Sequence, residues 1–354
     1  MNYPAYTPPI ALRNGLAMTL YIATKGRRTW QNTVSHPQPI YQAHVFQGAG
    51  NVPIFGQLAI PATPRGTIIA TYGITGSLED QWLLNVLGCK AFAQAYALVF
   101  FDWRAHGKTA ELSPSLTSDG IYEGEDFVRI AAQAKALGCP APYWLIGYSL
   151  GGQLALWAIK AAQTLPSWGP DLNLAASEIG GGAVICPSLE SNRSLRYLTQ
   201  SLTGRQLEQS IARELKKLAW RIHEHHPQAL DPAAIERVHD IWSFDHELVI
   251  QGLGFASVEA YYTATSGLYQ LPTLQKPTLI IYAADDPMFD PALVAELESM
   301  CAANAAIDLL LTPQGGHVGY FNSPAGQRQA QDPDPWWAWN RILDWCDRQS
   351  TSLP

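Results

Sequence analysis

The chain has 354 residues, 47% of them hydrophobic and 15% charged, with a net charge of −7 and a pI near 5.7. That composition supports a large packed core and excludes an intrinsically disordered chain. It also leaves no basic footprint for nucleic acid, because Lys25-Gly26-Arg27-Arg28 reads as an exposed cationic loop.

Two β-like runs come first, 41–47 and 54–60, around a Gly/Asn/Pro turn that suits a hairpin. Strand and helix patterns then alternate: strand 67–72 (TIIATY), helix 79–95, strand 97–103, helix 123–138, strand 143–148 (YWLIGY), helix 150–163 and strand 182–187. Within 150–163, Leu150, Leu154, Trp157, Ala158 and Ala161 recur at helical spacing. Strands 277–284 and 306–313 follow with a helix between them, and a Trp-rich helix at 334–348 closes the sequence. Such alternation predicts an α/β fold, a mostly parallel sheet flanked by helices. The rhythm breaks at 188–275, where Leu207, Ile211, Leu215, Leu218 and Ile222 share one helical face. A helical cap at 188–275 is therefore expected, inserted into a core made of 1–187 and 276–354.

No apolar run approaches the ~18 residues that a membrane span needs. The first residues carry early prolines and neither a basic start nor an apolar core, so a cytoplasmic protein is the expectation. The five cysteines, Cys89, Cys139, Cys186, Cys301 and Cys346, are widely spaced and form no CxxC, so buried free thiols are expected.

Gly147-Tyr148-Ser149-Leu150-Gly151 is G-x-S-x-G between a predicted strand and a predicted helix, the context of a nucleophile elbow. A nucleophilic serine needs a base, and the base needs an orienting acid. Downstream, AADDPM offers Asp285 and Asp286 after one strand, and GGHVGY offers His317 after the next. Both loops follow the carboxyl ends of strands, where open parallel sheets bind ligands. The oxyanion needs two N–H donors, and the backbone amides of Leu150 and of Ile74 in YGITGS are the candidates.

Together these pieces resemble the YheT-like branch of the α/β-hydrolases, also called the AB hydrolase 4 family. The motifs are PPIALRNGLAMTLY, YGITGS, GYSLGG, FDHELVIQGLGFASVEAYYTATS, PTLIIYAADDPM and GGHVGYF, spread over nearly the whole chain. The resemblance implies an α/β-hydrolase fold and serine esterase or lipase-like cleavage of carboxylic esters, with Ser149, His317 and an aspartate of the 285–286 pair as the triad. In the wider superfamily the acid follows a small residue by three, as Asp286 follows Ala283. The sequence departs from the family at Tyr72-Gly73, where relatives usually have His-Gly, and at Gly15-Leu16-Ala17-Met18, where they tend to have a histidine and a glutamine.

Three further stretches have plain readings beside sharper ones. His223, His225 and His226 sit at a predicted helix end, which favours interaction with the helix C-terminus over a metal site. RAHGKT lacks the glycine spacing of a phosphate loop. In PWWAWNRILDWC, Trp339, Ile342, Leu343 and Cys346 share a face, which favours packing on the sheet over a membrane-surface belt. The expectation is thus an ester hydrolase acting by an acyl-enzyme on a small-molecule ester with an apolar acyl chain, without metal or organic cofactor. Thioesterase, amidase or acyltransferase chemistry on the same triad is the alternative, as is a binding protein that kept the fold and lost turnover.

Overall fold

The computed structural model describes residues 3–168 and 172–352. Residues 1–2, 169–171 and 353–354 of the expected core lie outside the described residues. The strands are β1 (Gln42–Gln47), β2 (Pro53–Ala59), β3 (Thr67–Thr71), β4 (Ala97–Phe101), β5 (Tyr143–Tyr148), β6 (Ile179–Ile185), β7 (Thr278–Ala283) and β8 (Ile307–Thr312). Among the described residues they form one sheet in the order β1-β2-β4-β3-β5-β6-β7-β8. β1 and β2 pair antiparallel, as do β2 and β4, and the remaining pairs are parallel.

Strands β3 to β7 are buried along their whole length, because helices cover both faces of the sheet. The helices used below are α1 (Gly15–Tyr21), α2 (Trp82–Ala93), α3 (Ile121–Ala136), α4 (Leu150–Gln163), α5 (Ser191–Leu198), α6 (Leu202–His225), α7 (Pro232–Arg237), α8 (Ile241–Phe244), α9 (Val258–Thr265), α10 (Leu293–Ala302) and α11 (Trp337–Ser352). On α4, Leu154 and Ile159 are sealed from solvent; a large apolar side chain buried this way contributes ~1.5–3 kcal/mol. Trp337, Trp339 and Trp345 of α11 are also buried, so they pack on the core and do not form an exposed belt. All five cysteines are free and buried.

Two expectations change. Lys25-Gly26-Arg27-Arg28 is helical turn rather than loop, and Arg27 pairs with Asp80 at 2.8 Å. The cause is a buried stripe of Met18, Ile22 and Gly26, spaced four apart, which docks the N-terminal segment on the core. Strand β6 also starts three residues earlier than expected, because Gly180, Gly181 and Gly182 lie where side chains of Trp144 and Ile159 and the backbone of Pro277 crowd in.

Between β6 and β7, helices α5 to α9 build a second apolar cluster, which Ala105 and Ala110 from the segment after β4 also join. Leu215, Leu218 and Ile222 of α6 are buried in it. No helix among the described residues is long and apolar enough to cross a membrane.

Candidate active site

β5 lies between β3 and β6, at the point where the strand order reverses direction, and its C-terminal end carries Ser149. Ser149 has φ 55° and ψ −130°, a left-handed conformation that costs a non-glycine residue about 1–3 kcal/mol. Neighbouring backbone holds it there: Ser149 N–H donates to Ile185 O at 3.0 Å, and Ser188 N–H donates to Ser149 O at 3.1 Å. The flanking glycines are steric necessities. A Cβ on Gly147 would lie 2.0 Å from Gly151 O, and one on Gly151 would lie 2.3 Å from Tyr72 O.

The loops after β7 and β8 bring two further side chains to the serine. His317 Nε2 lies 2.8 Å from Ser149 Oγ, and His317 Nδ1 lies 2.8 Å from Asp286 Oδ2. With Nδ1–H donating to the carboxylate, Nε2 keeps its lone pair for the serine hydroxyl. Asp286 is 5% exposed, and its Oδ1 accepts from Met288 N–H at 2.9 Å, so both oxygens are held. Phe289 stands edge-on to the imidazole. Asp285 turns elsewhere: its Oδ1 accepts from Gly316 N–H at 2.9 Å, and burial raises its carboxyl above the usual range.

The histidine loop rests on α1. Thr19 Oγ1 donates to Gly15 O and accepts from His317 N–H, each at 2.8 Å. Gln314 Nε2 donates to Arg13 O at 2.9 Å. Gly15 itself sits so close to the acid loop that a Cβ there would reach 1.8 Å from Asp285 O. Sequence reading missed these supports; the Met18, Ile22, Gly26 stripe was the available signal.

Tyr72, where the resemblance implies a histidine, is held by Asp102. Tyr72 Oη donates to Asp102 Oδ1 at 2.5 Å, while Asp102 also accepts from Leu78 N–H at 2.8 Å and Lys108 N–H at 2.9 Å. One buried carboxylate therefore ties the loop after β3 to the loop after β4. Thr75, at φ 67°, donates its N–H to His106 Nε2 at 3.1 Å, and His106 Nδ1 is 3.0 Å from Arg104 O. Burial lowers the His106 pKa to about 3, so the ring is neutral, with the proton on Nδ1 and the lone pair on Nε2 facing Thr75. Gly73 abuts the serine, since a Cβ on it would lie 2.8 Å from Ser149 Cβ. Leu150 is the first residue of α4, where the helix itself leaves N–H groups free.

A cavity with about 840 Å³ of empty space, its open mouth included, reaches Ser149 and His317. Ile211, Leu215, Leu218, Phe244, Met288 and Phe289 supply apolar wall. Ser149 also borders a second trough lined by Gly73, Ile74, Arg27, Gln81 and Glu214. The other motifs lie in structural roles. In RAHGKT, Thr109 Oγ1 donates to Asp102 O at 2.5 Å. In HEHH, Nδ1 of His223 and of His225 lie near Leu230 O and Arg221 O, at 3.1 and 3.0 Å. Among the described residues no group of His, Cys, Asp and Glu gathers in a way that could hold a metal ion.

Comparison with known proteins identifies the family of the chain. The family model described as "Alpha/beta hydrolase family" matches residues 75–330. "Putative esterase slr0264" of Synechocystis sp. is 53% identical over 98% of this chain and 96% of its own length. "Putative esterase YheT" of Escherichia coli is 30% identical over 58% of this chain and 55% of its own length. The solved structure of the Pyrococcus furiosus esterase Pf2001 superposes with a TM-score of 0.53, covering 90% of this chain and all of that one at 16% identity. The serine turn, the histidine loop and the sheet order all fall inside or beside the matched stretch, and the chain belongs to the alpha/beta hydrolase family.

Proposed function

We propose that the protein is a serine hydrolase that cleaves carboxylic esters through an acyl-enzyme on Ser149. The observation that carries this reading is the hydrogen-bonded chain from Ser149 Oγ to His317 Nε2 and from Nδ1 to Asp286 Oδ2, both links at 2.8 Å. The esterase names of the two sequence relatives agree with it.

In this mechanism Ser149 Oγ attacks the ester carbonyl while His317 Nε2 takes the hydroxyl proton. The oxyanion forms between the N–H groups of Leu150 and Ile74. Collapse breaks the C–O bond, and His317 hands its proton to the departing alkoxide. Water then attacks the acyl-enzyme with His317 as base, releasing the acid and restoring the serine. Asp286 keeps the imidazole in the required tautomer and offsets the imidazolium charge in each step.

Helices α5 to α9, in residues 188–275, act as a cap over the core formed by the rest of the chain. The apolar faces of α6 and α8 suit the acyl chain, and the trough past Ile74 suits the leaving alcohol. A fluorophosphonate probe tests the reading: the wild type should be labelled at Ser149 and Ser149→Ala should not. An unlabelled wild type would reduce the chain to a hydrolase-fold binding protein.

A further inference from the structure

Two carboxyls that ester hydrolysis does not use, Asp119 and Asp245, line the same cavity as Ser149. Each is 6% exposed. Asp119 is held at φ 47°, and Gly120 after it at φ 122°, where a Cβ would meet the Trp157 ring at 2.1 Å. Asp245 Oδ2 accepts from Tyr262 Oη at 2.5 Å, and Thr117 Oγ1 lies 3.4 Å from Asp119 Oδ1.

Among the described residues the group lacks a counter-charge. Arg104 is committed to Asp126, and Arg221 to Glu111. Among the described residues no lysine or arginine pairs with Asp119 or Asp245. Burial first, and then the charge of Glu123, push the Asp119 carboxyl up to about 7; the Tyr261 and Thr117 hydroxyls oppose that rise. Burial first, and then the charge of Asp119, hold the Asp245 carboxyl well above the usual range, against the Tyr262 hydrogen bond.

A separate observation also points to a ligand. Ser194 of α5 lines this cavity, is 4% exposed, and its Oγ has no hydrogen-bond partner among the described residues. A buried hydroxyl left unpaired is destabilising, and a bound donor would offset that cost. Trp103, Phe244 and Tyr262 add aromatic surface to the same wall, and aromatic faces attract cations.

We propose that Asp119, Asp245 and Ser194 bind an organic ammonium, so that the substrate carries a cationic amine on the part that enters the cavity. The substrate half of this statement rests on the ester-hydrolase reading. The chemistry of the wall selects the ligand class. A plain alkyl chain gains from the apolar wall of Leu215, Leu218 and Phe244 but leaves the two carboxyls without a counter-charge, and an anion would be repelled. A hydroxyl would meet one hydrogen-bond need and no charge need. An alkylammonium brings three N–H donors and a positive charge, which lets one of the two carboxyls ionise and release its proton to solvent.

Calorimetric titration of the purified protein with octylammonium and with octanol near pH 7 tests this without any turnover. Octylammonium should bind at least ~10-fold more tightly than octanol, a difference of ~1.4 kcal/mol or more. Asp119→Asn and Asp245→Asn should each shrink that ratio toward one. Titration in two buffers of different ionisation enthalpy should show proton release with the amine and none with the alcohol. That measurement uses wild type alone, so it decides the matter even where an Asn variant misfolds. Equal affinities, or a ratio unmoved in folded Asn variants, would overturn the proposal. Cation preference without probe labelling of Ser149 would instead overturn the hydrolase reading and leave the cation site standing. Labelling without cation preference would remove this site alone.

Discussion

Thr19 and His317 are joined by a hydrogen bond across almost the whole length of the chain: the His317 N–H donates to Thr19 Oγ1 at 2.8 Å. The Thr19 hydroxyl spends its own proton on Gly15 O, so its lone pair faces the histidine loop in a fixed direction. The N-terminal helix thereby becomes part of what positions His317 over Ser149.

Thr19→Val keeps the shape and removes the acceptor. It leaves the His317 N–H without its partner, at about 1–3 kcal/mol. We expect kcat on a p-nitrophenyl ester to fall roughly 10-fold with KM nearly unchanged, because the loss falls on the base and not on the cavity. Thr19→Ser should restore most of the rate. A Val variant with wild-type kcat would show that the loop holds itself.

Asp286 and Asp285 follow one strand but serve different partners, the His317 ring and the Gly316 amide. Asp286→Asn should cost on the order of 10⁴ in kcat, since an amide permits the wrong imidazole tautomer. Asp285→Asn should cost far less and show mainly a lowered melting temperature. Rates of both variants on one ester settle the matter; the reverse ranking would transfer the role to Asp285.

Much of this site is legible in the amino-acid sequence itself. The run YWLIGY followed by glycines and a helical apolar pattern marked both the end of β5 and the start of α4. The loops of Asp286 and His317 were legible for the same reason, since each follows an apolar run. What could not be read depends on contacts between distant stretches. Tyr72 meets Asp102, Thr75 meets His106, and Asp119 shares a cavity with Asp245, and no local periodicity encodes any of these meetings. Helix α1 escaped notice because Gly15 and Thr19, chosen for closeness to the acid and histidine loops, dilute its apolar stripe.

The cavity wall makes a prediction about acyl length. Leu215, Leu218, Phe244 and Phe289 leave apolar surface for a chain leaving Ser149. Each methylene buried there could add about 0.8 kcal/mol, so kcat/KM should rise from two-carbon to eight-carbon esters. Leu215→Asp should flatten the rise by placing a charge on that wall, and a profile that already falls in the wild type would rule out an apolar acyl site.

His106 ties loop geometry to pH. Its pKa of about 3 lies below the ordinary value near 6.5, and burial is the cause. As pH drops below about 6.5 the unfolded chain takes up a proton that the folded protein refuses until about 3. The stability supplied by neutral His106 is therefore complete above about pH 6.5 and is lost as pH falls toward 3, at up to ~1.4 kcal/mol per unit. Asp119 and Asp126 act in the opposite sense, since burial raises them to about 7 and about 6, and their contribution weakens as pH rises through those values. Comparing wild type with His106→Gln cancels both aspartates. Denaturant unfolding should show the variant less stable near neutrality, with the gap closing by roughly 2 kcal/mol near pH 5. His106→Leu, which removes the acceptor from Thr75 N–H, should lose kcat at neutral pH, because the adjacent Ile74 amide drifts from the oxyanion. A gap that stays constant from neutrality to pH 5 would mean that the imidazole takes a proton in the folded protein, and the neutral-ring account of the loop would fail.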